Sequence, residues 1–217
     1  MSNYLAFDIE TSACDEGLRK FPFDESTVNL GVMKDEAKIE AKIDAARKKH
    51  RDLAALDAGT GKVLAVGFSD GEYREMLAYD EPELLVKTWE RIGEQLRMQQ
   101  WVIGFNIKAF DLPFLCTRSH VHRIEIPSWL ADYTKYDPWH SCVKDIRQYW
   151  QMGDRQRKGS LDYLARLFGV GSKPKNIHGG DFARLFNGTE EQQEQARQYL
   201  MNDLAMTESV AKVLLNL

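Results

Sequence analysis

Cysteine is scarce in this chain. The three residues, Cys14, Cys116 and Cys142, cannot all pair, and no two stand at CxxC spacing. That excludes a disulfide framework and a cysteine zinc site. The five histidines are scattered and form no HExxH, so a zincin-type centre is excluded as well. No stretch approaches the roughly 18 uninterrupted apolar residues a membrane-spanning helix needs. The opening residues, Met1-Ser2-Asn3-Tyr4-Leu5-Ala6-Phe7-Asp8, have neither the basic start nor the apolar run of a signal peptide. A cytoplasmic protein without a membrane partner is expected. Internal repeats, low-complexity tracts and a helicase-type phosphate loop are also missing.

What remains is an ordinary globular composition. The chain has 217 residues and 25.0 kDa, with 43% apolar and 29% charged residues. That suits one domain with a core large enough to need no metal or disulfide staple. A net charge of −4 argues against a general polyanion coat, but the charge is uneven. From Arg147 to Arg184, eight Lys/Arg face only Asp154, Asp162 and Asp181. Such a strip is compatible with holding phosphates at one place, and equally with a solvated face.

The patterning predicts an α/β protein. Asn3 to Ile9 reads as a buried strand, residues 13–33 as loop, and 34–57 as a charged helix with Ile39, Ile43, Ala46, Leu53 and Leu56 on one stripe. Strands are expected at 62–68 and 73–79 around an Asp70-Gly71 turn. A helix follows Asp80, then a wholly apolar strand, Trp101-Val102-Ile103-Gly104-Phe105, and a helix from Asp111 with Pro113 in its first turn. A fifth strand is expected at 141–146, a helix capped by Ser160, and a long C-terminal helix opened by the capping box Thr189-Glu190-Glu191-Gln192. This order suggests a mixed five-stranded sheet, its first three strands antiparallel, with helices packed over it.

Three places carry chemistry. In Asp8-Ile9-Glu10 the two carboxylates share one face of a strand, where they repel unless a cation neutralises them. Hard divalent ions take such oxygen ligands. About one Asp-x-Glu is expected by chance in a chain of this composition, so the position after a buried strand is what selects this one. Asp111 follows the apolar strand and opens a helix, where plain capping is the alternative role. Tyr199 and Asp203 stand at i and i+4 on the last helix, and an Asp amid Leu200, Leu204, Met206 and Val210 needs a partner.

In order and context these motifs resemble the DEDD superfamily of 3′–5′ exonucleases, which has the ribonuclease-H-like fold of polymerase proofreading domains. The residues that carry the likeness are Phe7-Asp8-Ile9-Glu10-Thr11, then Asn106 with Phe110-Asp111, then Tyr199 with Asp203. Histidine-type members carry His five residues before the last Asp. Here that position is Gln198, and Tyr199 marks the tyrosine branch, DEDDy. Ser160-Leu161-Asp162-Tyr163-Leu164-Ala165 through Gly169, then Lys173, is similar to the segment preceding the last motif in stand-alone relatives of the family-B polymerase exonuclease domain. The departure is a charged helical insertion at about 17–57, in a chain otherwise read as one domain over 1–217.

The resemblance implies two divalent cations, Mg²⁺ or Mn²⁺, held by Asp8, Glu10, Asp111 and Asp203. Asp8 would bridge both, Glu10 and Asp203 would complete the nucleophile-side ion, and Asp111 would support the second. Tyr199 would orient the attacking water, and Thr11, Asn106 and Phe110 would meet the terminal nucleotide. Arg155, Arg157, Lys158, Lys173 and Lys175 are candidates for phosphate contacts along single-stranded DNA. Six aromatics lie between Pro127 and Trp150, for which buried packing is favoured over base stacking. The implied activity releases nucleoside 5′-monophosphates from DNA 3′ ends in a bacterial or phage-infected cell, alone or with replication or recombination proteins in trans. The alternatives are an exoribonuclease on the same fold and a non-catalytic nucleic-acid-binding accessory domain.

Overall fold

The computed structural model describes residues 3–130, 141–174, 177 and 179–217. Within them the chain divides into two compact units, Thr11–Lys62 and the remainder.

The larger unit is built on a five-stranded sheet, in the order β3-β2-β1-β4-β5. Its strands are β1 (Tyr4–Ala13), β2 (Gly61–Ser69), β3 (Arg74–Leu77), β4 (Trp101–Gly104) and β5 (Val143–Asp145). β1 runs parallel to β4, with Tyr4 opposite Trp101, and β4 runs parallel to β5. β2 and β3 form an antiparallel hairpin. The parallel centre is apolar on both faces, as strands covered on both sides must be: Leu5, Ala6, Phe7, Val102 and Ile103 are buried.

Alternation along β1 sends Tyr4 and Ala6 to one face and Leu5 and Phe7 to the other. Tyr4 and Ala6 join Ile103 in a core with Leu161, Leu164 and Ala165 of α6 (Leu161–Leu167) and Leu204, Val210 and Ala211 of α8 (Glu190–Leu215). α5 (Ile146–Gln151) precedes α6 in the chain, and α7 (Phe182–Phe186) lies between α6 and α8. The close approach of α8 to β2 depends on Gly67, where a Cβ would meet Leu200 and Leu204 side-chain carbons at 2.8–3.0 Å. Buried Glu208 then ties α8 to the hairpin, accepting from Ser69 Oγ and Arg74, each at 2.6 Å.

α3 (Glu81–Arg97) buries the stripe Leu85, Trp89, Ile92 and Leu96 and packs on α4 (Asp111–His122) and β4. Trp89 donates to Ser119 Oγ of α4 at 2.9 Å, and Trp129 meets it edge-on. The capping box at Thr189 forms both of its hydrogen bonds, and Ser160 caps α6 by accepting from Tyr163 N–H. No helix among the described residues is long and apolar enough to cross a membrane.

In the smaller unit, the 13–33 loop proves to hold a helix, α1 (Asp15–Lys20), and a 3₁₀ turn at Glu25–Thr27 capped by Asp24. α2 (Glu36–Ala54) opens at Asp35, whose carboxylate accepts from Lys38 N–H. Its expected apolar stripe is only partly covered: Leu53 is 48% exposed and Leu56 beyond the helix 59%. Only Ala54 of the helix is buried, and pairs such as Arg47 with Asp44 support its charged surface.

Candidate active site

Asp8 and Glu10 follow Tyr4 and Ala6 on the face of β1 that α8 covers. Asp203 lies midway along α8 and comes to them there. One carboxylate oxygen from each of Asp8, Glu10 and Asp203 lies within 4.8 Å of the others. Asp111 arrives from the end of β4. It is the first residue of α4, yet its carboxylate reaches across the sheet rather than closing its helix: Oδ1 accepts from Ile9 N–H at 3.1 Å. Ile9 stands between Asp8 and Glu10, so this bond brings the Asp111 carboxylate to their strand. Four acids from three distant segments are therefore neighbours.

The electrostatics are those of crowded carboxylates. Burial, then the charge of Asp203, pushes Asp8 up to about 7. Burial and the charges of Asp8 and Asp203 hold Glu10 well above the ordinary carboxylate range, and burial with Asp8 does the same to Asp111. Asp203 is also raised by burial, although Lys173 opposes the shift. Lys173 Nζ donates to Asp203 Oδ2 at 2.5 Å and to the Tyr199 hydroxyl at 2.9 Å. Lys173 thus bridges the phenol and the Asp203 carboxylate. Burial, then the charge of Asp203, pushes the phenol up to about 12, so it is a neutral donor at pH 7.

A divalent cation fits this donor set. Asp203 Oδ1 is buried and has no hydrogen-bond partner among the described residues, an expensive vacancy for a carboxylate oxygen unless something positive occupies it. The ligand oxygens are hard, anionic and convergent, as Mg²⁺ or Mn²⁺ prefers. A cation there would also reverse the repulsion that lifts the pKa values.

The comparisons agree with this geometry. Residues 57–210 match a family described as a predicted 3′–5′ exonuclease related to the exonuclease domain of PolB. The chain belongs to this exonuclease family. The match takes in Asp111, Tyr199 and Asp203, while Asp8 and Glu10 precede it. Among solved structures, the family B DNA polymerase of the hyperthermophilic archaeon Pyrobaculum calidifontis aligns over 98% of the chain, with a TM-score of 0.62 and 16% identity. The chain covers 24% of that polymerase, and at this identity the likeness is one of fold. No curated protein matches the sequence.

The other candidate residues of this family member are placed as follows. Asn106, just past β4, has its side-chain oxygen held by Arg147 at 3.0 Å. Phe110 precedes α4 and packs on Phe114 with ring centres 5.6 Å apart. The Thr11 hydroxyl donates to the Ala55 carbonyl within the smaller unit at 2.6 Å. Gln198 bonds Glu194 on the exposed side of α8. In the basic strip, Arg157 lies over the Trp150 ring at 3.7 Å and donates to its carbonyl, while Arg155 and Lys158 are exposed. Lys175 and the aromatics Tyr133, Tyr136 and Trp139 lie outside the described residues. Lys173 stands at the carboxylate cluster, its ammonium on Asp203 and Tyr199. Asp162, whose Oδ1 accepts from Lys173 N–H at 2.7 Å, anchors it.

Proposed function

We propose that the protein is a two-metal-dependent 3′–5′ exonuclease that removes nucleoside 5′-monophosphates from the 3′ end of single-stranded DNA. The observation that carries this reading is the convergence of Asp8, Glu10 and Asp203 oxygens within 4.8 Å of one another, with the Asp111 carboxylate on the Ile9 N–H between Asp8 and Glu10. An acid cluster of this kind, left without a cation, only costs stability, so its assembly makes sense as a metal site. Asp8, Glu10, Asp111 and Asp203 would hold the ions. When bound, a pair of divalent ions lowers the pKa of a water and stabilises charge on the attacking and departing oxygens of an in-line displacement at phosphorus.

The chain's own groups supply orientation. Tyr199 is too weak an acid and too poor a free base to move a proton at neutral pH. Its hydroxyl, held by Lys173, is suited to aligning a water. Lys173 offsets carboxylate charge and stiffens the phenol. Asn106 stands at the start of the loop that carries Asp111 and is suited to the terminal nucleotide. The charged helical segment at about 17–57 is read as an insertion into a single exonuclease domain. The enzyme works alone or with replication or recombination partners in trans.

The test is a time course on end-labelled, sequence-matched DNA and RNA strands, with EDTA, Mg²⁺ or Mn²⁺. Stepwise shortening from the DNA 3′ end that needs a divalent ion and vanishes in Asp203→Ala is expected. Digestion by Asp203→Ala at the wild-type rate refutes the proposal. Faster trimming of RNA moves the substrate assignment to the exoribonuclease alternative.

A further inference from the structure

The loop between β4 and α4 carries both Asn106 and Asp111, and its shape is imposed from β5. Asp145 closes that strand and is 1% exposed. Its Oδ2 accepts from Lys108 N–H at 3.0 Å, and its Oδ1 accepts from Asn106 N–H and Arg147 N–H at 3.0 Å and Gln148 N–H at 3.3 Å. One carboxylate thus caps α5 and pins two donors of the loop, on either side of Ile107. The loop has little freedom to do otherwise. Asn106 has φ +68°, and a Cβ at Gly104 would sit 2.2 Å from Ile107 Cγ2. The far end is tied when Asp111 accepts from Ile9 N–H.

Arg147 adds a chemical constraint. Its guanidinium donates to Asn106 Oδ1 at 3.0 Å. A guanidinium has donors only, so the amide oxygen must face it and the amide cannot flip. The Nδ2 group makes no hydrogen bond among the described residues. An Asn at the mouth of a loop, with its acceptor committed and its two donors uncommitted, is set to recognise an acceptor.

We propose that Arg147, seated by Asp145, is a positioning residue that presents the Asn106 amide as a hydrogen-bond donor to a sugar or phosphate oxygen of the terminal nucleotide. The proposal rests on the nuclease reading and adds to it the polarity of the contact and the residues that set it. Arg147 acts through Asn106, so loss of either removes the same contact.

The test is steady-state kinetics on a single-stranded oligonucleotide for wild type, Arg147→Met, Asn106→Ala and the double variant. Each single change is expected to raise KM about tenfold, the worth of one hydrogen bond to a charged acceptor, with kcat within about threefold. The double variant is expected to match Asn106→Ala alone, because coupled residues are non-additive. Arg147→Lys, which keeps a donor and the charge, is expected to recover part of the loss. Additive losses with a shallower salt dependence mean that Arg147 grips phosphate itself and overturn the proposal, as does an unchanged KM in Arg147→Met.

A second readout does not need turnover. Thymidine 5′-monophosphate, titrated with Mg²⁺ present, is expected to shift the Asn106 side-chain N–H resonances of wild type but not of Arg147→Met. If those resonances ignore the nucleotide while wild type digests DNA, this inference alone fails. If they respond while wild type digests nothing, the exonuclease reading fails and the positioning role stands. If neither occurs, both are refuted.

Discussion

Asp8→Asn should make the metal-free protein more stable while destroying its activity. In the folded chain the Asp8 carboxyl is pushed from 3.8 up to about 7, by burial first and then by the charge of Asp203. Folding therefore favours the protonated form, and ionising Asp8 works against the native state. The penalty is absent below about pH 4, grows as pH rises toward 7 and is complete above it. A shift of this size corresponds to a ceiling of about 4 kcal/mol at about 1.4 kcal/mol per pH unit. Asp8 is only half-buried and shares its titration with its neighbours, so about 2 kcal/mol is the working figure. Asparagine keeps the shape but carries no charge. In EDTA at pH 8 the variant should melt about 4–8 °C above wild type, with the gap closing toward pH 4. Added Mg²⁺ should raise the wild-type midpoint by mass action and move the variant far less. The assay is thermal denaturation at both pH values, with and without the ion. A wild type at least as stable as Asp8→Asn in EDTA at pH 8 refutes the argument that the acids are held together against their own repulsion.

Tyr199→Phe should slow single-turnover cleavage about 10- to 100-fold with oligonucleotide affinity unchanged, since the hydroxyl aligns water rather than holding substrate; an unchanged rate removes it from the mechanism. Glu81→Gln should destabilise the fold by about 2–3 kcal/mol, measured by chemical denaturation. Burial alone would raise the Glu81 pKa, but hydrogen bonds from Arg118, then His122 and Val63 N–H, outweigh it and hold the carboxyl below its usual value. Its stabilisation is therefore present above about pH 4.5 and fades as pH falls through the lowered folded value. Wild type and variant should converge in acid, and a gap independent of pH contradicts this.

The sheet and the four acids were readable because local rules govern them. Strand alternation alone puts Asp8 and Glu10 on one face, and the i, i+4 spacing puts Tyr199 beside Asp203 on one helix. For Asp111 helix capping is the competing role, and local pattern does not show that the carboxylate reaches Ile9, 102 residues away. The short helices α5 and α7 span six and five residues, too few for a hydrophobic period to declare itself. Lys173 was assigned by composition to a basic strip. Nothing local to it predicts that its ammonium will meet Tyr199 and Asp203, 26 and 30 residues further on. Asp145 and Arg147 were hidden in the same way: an acid ending a strand is common, and its backbone partners lie 37 and 39 residues earlier.

Lys173 also bears on how such a site can exist before any ion arrives. Four neighbouring carboxylates with no counter-charge would drive the sheet and α8 apart or force most of them to stay protonated. The ammonium sits on Asp203 Oδ2 and leaves Oδ1 bare. It therefore offsets enough charge for the chain to close while one ligand oxygen stays available. It also touches the phenol, so the cation that steadies the empty cluster is the same one that fixes Tyr199. Stability of the unloaded fold and alignment for catalysis are thereby linked through one side chain. Burial opposes a charge on Lys173, yet Asp203 and Tyr199 together hold its pKa above the ordinary lysine value, so this internal counter-charge persists across the whole pH range in which the carboxylates ionise.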